Sequence, residues 1–499
     1  MPPVSPTDTL TMPVPPAPSA PPQTPPTPQA LQAAKASRTP PPSVLIVGAG
    51  LAGCALTASL VRRGWHVTLV DAGSGPAQGA SALRTGLLQP LLSRDDNLAS
   101  RLLRAGFLFS RQRLERVQGR PLRYEPRPSE PGPCEPGPCE PVPGEPGAAP
   151  LWQPRGVYWS PADGTDLAAL MRPDWPEGYA RACTQEEAQT LLGIAPRHPG
   201  LWFAGGAQVD VAAACAALLA EAAEGPGALQ TRFRWTVQPA RTASGTWCVR
   251  SDEGQEICAD HVVLCAGAGL ATLLGAGSMP GRAGLPPLQI IAGSLSYLAA
   301  GGEIDALRAP IAGAGHVLPA GPGSASCGAS YVRLAPDFPV GTGLGTAPRV
   351  TAAEDASNLA RWDALLAAGG ALRSIGHYTG LRAMTLDRMP LAGTLVDTKQ
   401  IAALAQGAIA GSVPSALCAT DLRLASVGLP ALPRLEGLHV LAAFGSRALA
   451  LAPLLAEFLA ARLCGEPEPI ERDLANAVDP GRFALRALRA VQGAAARGR

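Results

Sequence analysis

The run Gly48-Ala49-Gly50-Leu51-Ala52-Gly53 follows the wholly apolar Val44-Leu45-Ile46-Val47 and opens a helical stretch reaching about Arg63. In that setting each glycine has a separate use. Gly48 permits a tight turn, Gly50 lets the backbone approach a pyrophosphate, and Gly53 allows close packing of helix on strand. The helix start at Leu51 and Ala52 attracts the anion. A second strand, His66 to Val70, ends on Asp71, 18 residues after Gly53, where a carboxylate can hold ribose hydroxyls. A carboxylate at this position argues against a 2′-phosphate, so FAD or NAD is favoured over NADP.

Three further clusters bear on that choice. Gly79-Ala80-Ser81, with Arg84 and Gly86, follows the second strand. Val262-Val263-Leu264-Cys265-Ala266-Gly267 is an apolar strand ending in a small-residue turn. Gly445-Ser446-Arg447 stands at a strand-to-helix junction near the C-terminus. Free amides at such a junction can bind the flavin O2 and stabilise negative charge on the reduced ring. A dinucleotide motif at one end of the chain and a second cofactor-facing helix start at the other point to FAD.

The elements that position these residues are legible in the hydrophobic pattern. A strand, a helix and a second strand open the ordered chain and imply a parallel sheet. Residues 209–224 pattern as an amphipathic helix, residues 231–237, 246–250 and 257–265 as strands. A strand at 438–444 precedes an apolar helix ending near Leu463, and residues 285–380 are patchy, strand-like and Gly-rich, as in a separate antiparallel sheet.

Composition sets the outer bounds. The 499 residues are 46% hydrophobic and 16% charged, enough apolar material for a large core, with a net charge of +2 that attracts no polyanion globally. Fifteen prolines fall within residues 1–42, and eleven within 121–150, where Glu-Pro recurs every five residues from Glu125 to Glu145. The first segment reads as a disordered tail and the second as a surface-loop expansion. The eleven cysteines contain no CxxC and no histidine at metal spacing, so the expectation is reduced, buried thiols and no metal site. The six histidines show no pairing, and His66, His261 and His439 flank strands as core or edge residues. Neither a leader peptide nor a bilayer-spanning stretch is apparent, so a cytoplasmic protein is expected.

The segments VLIVGAGLAGCALTASLVRRGWHVTLVDAG, GASALRTGLLQPLLS, SCGASY, GLRAMTLDRMPLAG and AAFGSRALALAPLLAEFLAARL together resemble the D-amino-acid oxidase superfamily. Within it they are most similar to the oxidoreductase part of the family of tRNA 5-methylaminomethyl-2-thiouridine biosynthesis proteins, MnmC. The resemblance covers about Ser43 to Arg489. It implies an α/β fold, a Rossmann-like FAD-binding domain with an interleaved antiparallel-sheet substrate domain. The FAD-binding pieces are then 43–120, 206–280 and 381–490, and the substrate pieces 151–205 and 281–380. Leu51, Ala52, Val237 and Gly267 complete the expected FAD contacts.

The implied reaction is oxidative removal of a carboxymethyl group from 5-carboxymethylaminomethyl uridine at the tRNA wobble position. A hydride leaves the carbon beside the carboxylate for FAD, and the imine hydrolyses to the 5-aminomethyl nucleoside and glyoxylate. No general base stands out, and loss of hydride from a neutral amine does not require one. The alternative is an FAD-dependent oxidase or dehydrogenase of glycine, sarcosine or D-amino acids. In either case an α-carboxylate needs a cation, and Arg382 is the expected one unless it forms a structural ion pair with Asp387. Tyr331 resembles a flavin-facing residue, the alternative being a packed sheet aromatic, and Arg447 could touch flavin or substrate. For a tRNA partner, residues 84–123 hold nine arginines against three carboxylates, with Arg101, Arg104 and Arg111 on one helical face and Arg113, Arg116 and Arg120 on another; residues 471–499 hold six against three. An ordinary solvated helix face is the competing reading. Relatives of this family carry a methyltransferase domain ahead of the oxidoreductase, and 42 Pro-rich residues are too short for one, so a separate methyltransferase is expected to act on the product.

Overall fold

β1 (Ser43–Val47), α1 (Leu51–Val61) and β2 (His66–Asp71) open the described chain. They belong to a computed structural model that describes residues 41–118, 151–275, 288–402 and 429–497, apart from short loop positions at 162–163, 173–174, 300, 322–323, 336–337, 339, 341–346 and 368–371. The Pro-rich tail and the Glu-Pro insert lie outside the described residues, as do Arg120 and Arg123.

β1 pairs in parallel with β2 on one side and with β13 (His261–Leu264) on the other. β9 (Ala228–Phe233), β21 (Arg434–Ala442) and β20 (Leu391–Val396) complete a six-stranded sheet ordered β20-β21-β13-β1-β2-β9, antiparallel only at β20. Such a sheet is buried on both faces, and alternate residues show it. Val44, Ile46 and Val263 join a core with the helices, whereas Leu45, Val47 and Val262 join a second core on the opposite face.

All eleven residues of α1 are buried, so this helix is apolar all round rather than amphipathic. It packs between α4 (Val211–Ala223) and α7 (Ala448–Cys464), and α7 also packs on α2 (Leu98–Val117). The second core is closed by a small sheet of β10 (Val237–Arg241), β11 (Trp247–Ser251) and β12 (Glu256–Ala259), with Trp247 and Val249 facing inward. On that sheet Cys248 and Cys258 stand directly opposite, Cα atoms 4.0 Å apart, and form a disulfide. This corrects the expectation of reduced thiols throughout: the ten-residue hairpin spacing had brought two cysteines into register. Of the remaining described cysteines, five are buried and Cys464 is half-buried.

The histidine reading is corrected in the same way. His261 starts β13 and His439 lies on its neighbour β21, and their rings join through Nδ1 and Nε2 at 3.0 Å. Parallel register, invisible in sequence, makes the pair.

A nine-stranded sheet contains β5 (Val157–Trp159), β6 (Arg181–Cys183), β7 (Gly200–Phe203), β14 (Leu288–Leu298), β15 (Ile311–Ala312), β16 (His316–Gly321), β17 (Ser324–Gly328), β18 (Val332–Arg333) and β19 (Ser374–Thr385). It is antiparallel as expected except where β5 runs parallel to β15. Its long central ladder, β14 against β19, carries the sheet past residue 380 to Thr385. One face is covered by a helix over Ala352–Leu365, whose Asn358 and Asp355 bond Ser294 and Ser296. Gly293 and Leu295 therefore point to the other face. No helix among the described residues is long and apolar enough to cross a membrane.

Candidate flavin and substrate site

The glycine loop lies beyond the carboxyl ends of β1, β2 and β13, where the parallel strands β2 and β13 stand on opposite sides of β1. Gly48 adopts φ +111°, and a Cβ there would stand 2.6 Å from the Cys265 carbonyl oxygen. A Cβ on Gly53 would stand 1.9 Å from the Gly48 oxygen, so both positions exclude side chains by contact with backbone. Gly50 differs: its added Cβ would meet only Ser81 Oγ, at 3.2 Å. That hydroxyl accepts from the Leu51 N–H at 3.0 Å and so caps a helix whose own N-cap, Gly50, has no side chain.

Asp71 ends β2 beside this loop. Its carboxylate accepts from the Ala49 N–H at 2.6 Å and the Gly73 N–H at 2.7 Å. Burial raises its pKa, and the two backbone donors oppose that rise. Carboxylate oxygens have about four lone-pair sites, so about two remain for further donors. Val237 is buried in the core that also holds Val47 and Val70. Gly267, at φ +52°, faces open space, with nothing within 4 Å of an added Cβ.

Gly86 is packed between Val211 and Leu449 and gives close approach of α7. Arg84 is exposed, and its charge acts on Asp210, the N-cap of α4.

The second helix start is at Gly445-Ser446-Arg447. Gly445 has φ +58°, its N–H donates to the Ala383 oxygen at 2.9 Å, and Phe444 bridges to Met384. These bonds tie the end of β19 to the start of α7. No side chain caps α7 at this end, so the positive end of its dipole is left to whatever lies before it. Arg447 is half-buried and Ser446 exposed.

Arg382 lies on β19, where register places it beside Ile291, two residues from Gly293 on the same face of β14. Its guanidinium folds back over Gly293: a Cβ there would stand 2.3 Å from Cζ. The group makes no hydrogen bond or ion pair with any described side chain. Burial lowers its pKa, while Tyr378 and Tyr331 raise it. The expected alternative partner is engaged elsewhere, because Asp387 binds Arg482 at 3.0 Å and Arg486 at 2.8 Å. Tyr331 is 54% exposed, which removes the packed-aromatic reading, and its O–H points to Met384 Sδ at 3.2 Å. The charge of Arg447 also feels Tyr331, so the three expected substrate residues are brought together.

Sequence reading missed several neighbours. Tyr378 shares the face of Gly380 and Arg382, and its O–H donates to the Gly79 oxygen at 3.1 Å. The alternation Tyr378, Gly380, Arg382, Met384 was the available signal. His316 stands across Gly328 from Leu295, and burial together with Arg382 and Arg361 pushes its pKa down to about 3, so its ring is neutral. Gly293 had no local signal, since its role depends on a strand 89 positions away.

Part of the basic segment is paired within the fold, while Arg84, Arg94 and Arg116 are exposed. In α2, Arg101 binds Glu471 and Asp473, Arg104 binds Asp96, Arg111 binds Glu115, and the buried Arg113 binds Glu221. Glu471, Asp473 and Glu221 are distant in sequence, whereas Asp96 and Glu115 are local.

A family model described as FAD dependent oxidoreductase, DAO, matches residues 43–462. The chain is 33% identical over 454 residues to the tRNA 5-methylaminomethyl-2-thiouridine biosynthesis bifunctional protein MnmC of Paraburkholderia phytofirmans, covering 89% of this chain and 60% of that protein. The protein of the same name from Cupriavidus necator is 33% identical over 464 residues, covering 89% and 61%. The chain thus spans about three-fifths of the length of the curated relatives it matches. Among solved structures, glycine oxidase from Geobacillus kaustophilus has a TM-score of 0.59 at 18% identity, covering 86% of this chain and 96% of that one. L-proline dehydrogenase from P. horikoshii has a TM-score of 0.58 at 13% identity, covering 89% and 98%. These two share the fold. FAD is the cofactor, and the open Gly267 and the uncapped α7 fit it. The chain belongs to the DAO family of FAD-dependent oxidoreductases.

Proposed function

We propose that this chain oxidises the CH–NH bond of a secondary amine bearing a carboxymethyl group, and that the amine is 5-carboxymethylaminomethyl uridine at the tRNA wobble position. The products are the 5-aminomethyl nucleoside and glyoxylate. The observation that carries this reading is Arg382: a half-buried guanidinium on a floor of glycine, with no carboxylate partner among the described residues. Such a group is costly to bury alone, and a substrate carboxylate offsets that cost through two charge-assisted hydrogen bonds. The tRNA substrate follows from the relatives, which are named as tRNA 5-methylaminomethyl-2-thiouridine biosynthesis proteins. The comparisons give no support to a separate methyltransferase partner.

In this reading Gly48, Gly50, Leu51, Ala52 and Gly53 receive the pyrophosphate, and Asp71 the ribose. Ser81, Arg84, Gly86, Val237 and Gly267 line or shape the rest of the cofactor crevice. Gly445, Ser446 and Arg447 present the start of α7 to the flavin ring. FAD, when bound, supplies the two-electron acceptor. Arg382 fixes the substrate carboxylate, and Tyr331 and Arg447 orient the amine carbon between sheet and helix start. The parallel-sheet pieces (43–120, 206–280, 381–490) then bind FAD and the mixed-sheet pieces (151–205, 281–380) cover the substrate.

The test is anaerobic bleaching of the flavin by tRNA bearing the carboxymethylaminomethyl group, against glycine, sarcosine and D-amino acids. Bleaching by the tRNA with release of glyoxylate is expected. Bleaching by a free amino acid at low concentration, with tRNA inert, would replace this reading by a metabolic amine oxidase.

A further inference from the structure

Resting on the tRNA reading above, we infer that the rim of the Arg382 site is the RNA-docking surface, with Arg333 and Arg388 on backbone phosphates and the Tyr331 ring stacked on a base. Two of the five exposed large hydrophobic side chains among the described residues lie here: Tyr331 at 54% and Leu386 at 58% exposure. Val332 and Arg333 form β18, an edge strand paired to β14. Ile291 is the register partner of both Arg333 and Arg382, so the two arginines flank it on one face, about 10 Å apart at two strand spacings.

The second arm is the turn between β19 and β20. Asp387 anchors it to Arg482 and Arg486, and the Arg388 N–H closes it on the Thr385 oxygen at 3.1 Å. Arg388 projects from this fixed turn, exposed, with its charge acting on Arg447.

These arginines are marked by their place beside Arg382 together with the lack of a carboxylate partner. Arg62, Arg63, Arg101, Arg111, Arg113, Arg434 and Arg462 all meet carboxylates. Arg333 and Arg388 meet none among the described residues, and Arg388 and Arg447 repel each other across the site mouth. Arg333 and Arg388, with Arg447 and Arg382 beside them, make the mouth of this site cationic, as a polyanion surface requires. The exposed ring between the two arms selects single-stranded nucleic acid over an acidic protein, because a base offers a π-face and a carboxylate does not. A wobble base presented to Arg382 comes from such an unpaired loop.

The experiment uses FAD-loaded protein and a fluorescent RNA stem-loop of anticodon-arm size, with anisotropy measured across a salt series. The variant R333A/R388A is expected to bind roughly ten- to a hundredfold more weakly near 0.1 M salt, with its log–log salt slope reduced by about 1.5. Tyr331→Ala is expected to lose about fivefold or more with the slope unchanged, since stacking releases no counterions. A control, R94A/R116A, removes two exposed arginines of the basic segment and should stay within about twofold. FAD absorbance reports that each variant is folded and loaded. If wild type binds and R333A/R388A binds equally well, the surface is refuted while the tRNA reading stands. If wild type binds no RNA, both fall. Full competition by heparin together with wild-type binding by Tyr331→Ala would make the rim a general polyanion patch and overturn the RNA assignment.

Discussion

The guanidinium of Arg382 occupies the space that a side chain at Gly293 would fill. An added Cβ would lie 2.3 Å from Cζ and Nη2 and 2.4 Å from Nη1. The glycine is therefore a seat for the cation, and its backbone φ is not the reason for its identity, since it adopts no left-handed conformation. Gly293→Ala should displace Arg382 and leave the β14–β19 ladder intact. The expected result is a KM for the carboxylate substrate raised by one to two orders of magnitude, about 1–3 kcal/mol, with FAD content and melting temperature near wild type. Steady-state kinetics on the loaded enzyme decide it, and an unchanged KM would remove the seat.

Arg382 itself gives the sharper loss. Arg382→Ala removes both hydrogen bonds to the carboxylate and should cost about 2–4 kcal/mol in kcat/KM. Arg382→Lys keeps the charge but not the planar fork and should recover only part of that loss. Equal activity of the lysine variant would mean that charge alone is read at this position.

Gly50 tests the cofactor end separately. Its φ is −75°, which any residue adopts, and only Ser81 Oγ stands near an added Cβ. Gly50→Val should therefore fold but fail to hold FAD, because its side chain takes the place of the pyrophosphate. The flavin absorbance per mole of protein measures this, and a fully yellow variant would refute the assignment. Gly53→Ala is expected to differ in kind: a Cβ 1.9 Å from the Gly48 oxygen displaces backbone, so stability falls as well.

The turn that carries Arg388 depends on Asp387. Burial alone would raise its pKa, but hydrogen bonds and charge from Arg482, with further bonds from Met389 and Thr385, hold it well below the usual carboxylate range. The Arg482 side chain is 5% exposed, so Asp387→Ala leaves a buried cation unpaired and should cost about 3–5 kcal/mol. Replacing both partners, Asp387→Leu with Arg482→Met, should be much milder. Denaturant unfolding of the two variants distinguishes a paired charge from mere packing, which predicts that the double change is the worse one.

The cofactor half of the site was legible because its determinants are local. Gly48, Gly50, Gly53 and Asp71 fall within 24 consecutive residues of one βαβ unit, where turn geometry and helix packing dictate residue type. The strand-to-helix junction at Gly445 was legible for the same reason. The substrate half was legible only through family resemblance, since Arg382 acquires its role from Gly293 on another strand. Charge misled most. Arg101 and Arg113 of α2 pair with Glu471, Asp473 and Glu221, carboxylates over a hundred positions away, while Arg333 and Arg388 had no local density to mark them. Cys248 with Cys258, and His261 with His439, are register effects of the same kind.

The histidine pair predicts how the parallel sheet responds to acid. His439 Nε2 meets His261 Nδ1 at 3.0 Å and His439 Nδ1 meets Thr394 Oγ1 at 3.1 Å, so both ring nitrogens are used inside the fold. Burial, with the nearby His261, pushes the His439 pKa down to about 3, against about 6.5 when unfolded. The unfolded chain then binds the extra proton between these values. Stability from this residue is complete above pH ~6.5 and declines as pH falls toward ~3, with a slope of up to ~1.4 kcal/mol per pH unit. His439→Gln can keep both hydrogen bonds without titrating. Its unfolding free energy, measured from pH 7 to pH 4, should fall less steeply than wild type by that slope. Parallel curves would mean that the imidazole is protonated within the folded sheet, which the 3.0 Å contact with a second histidine opposes.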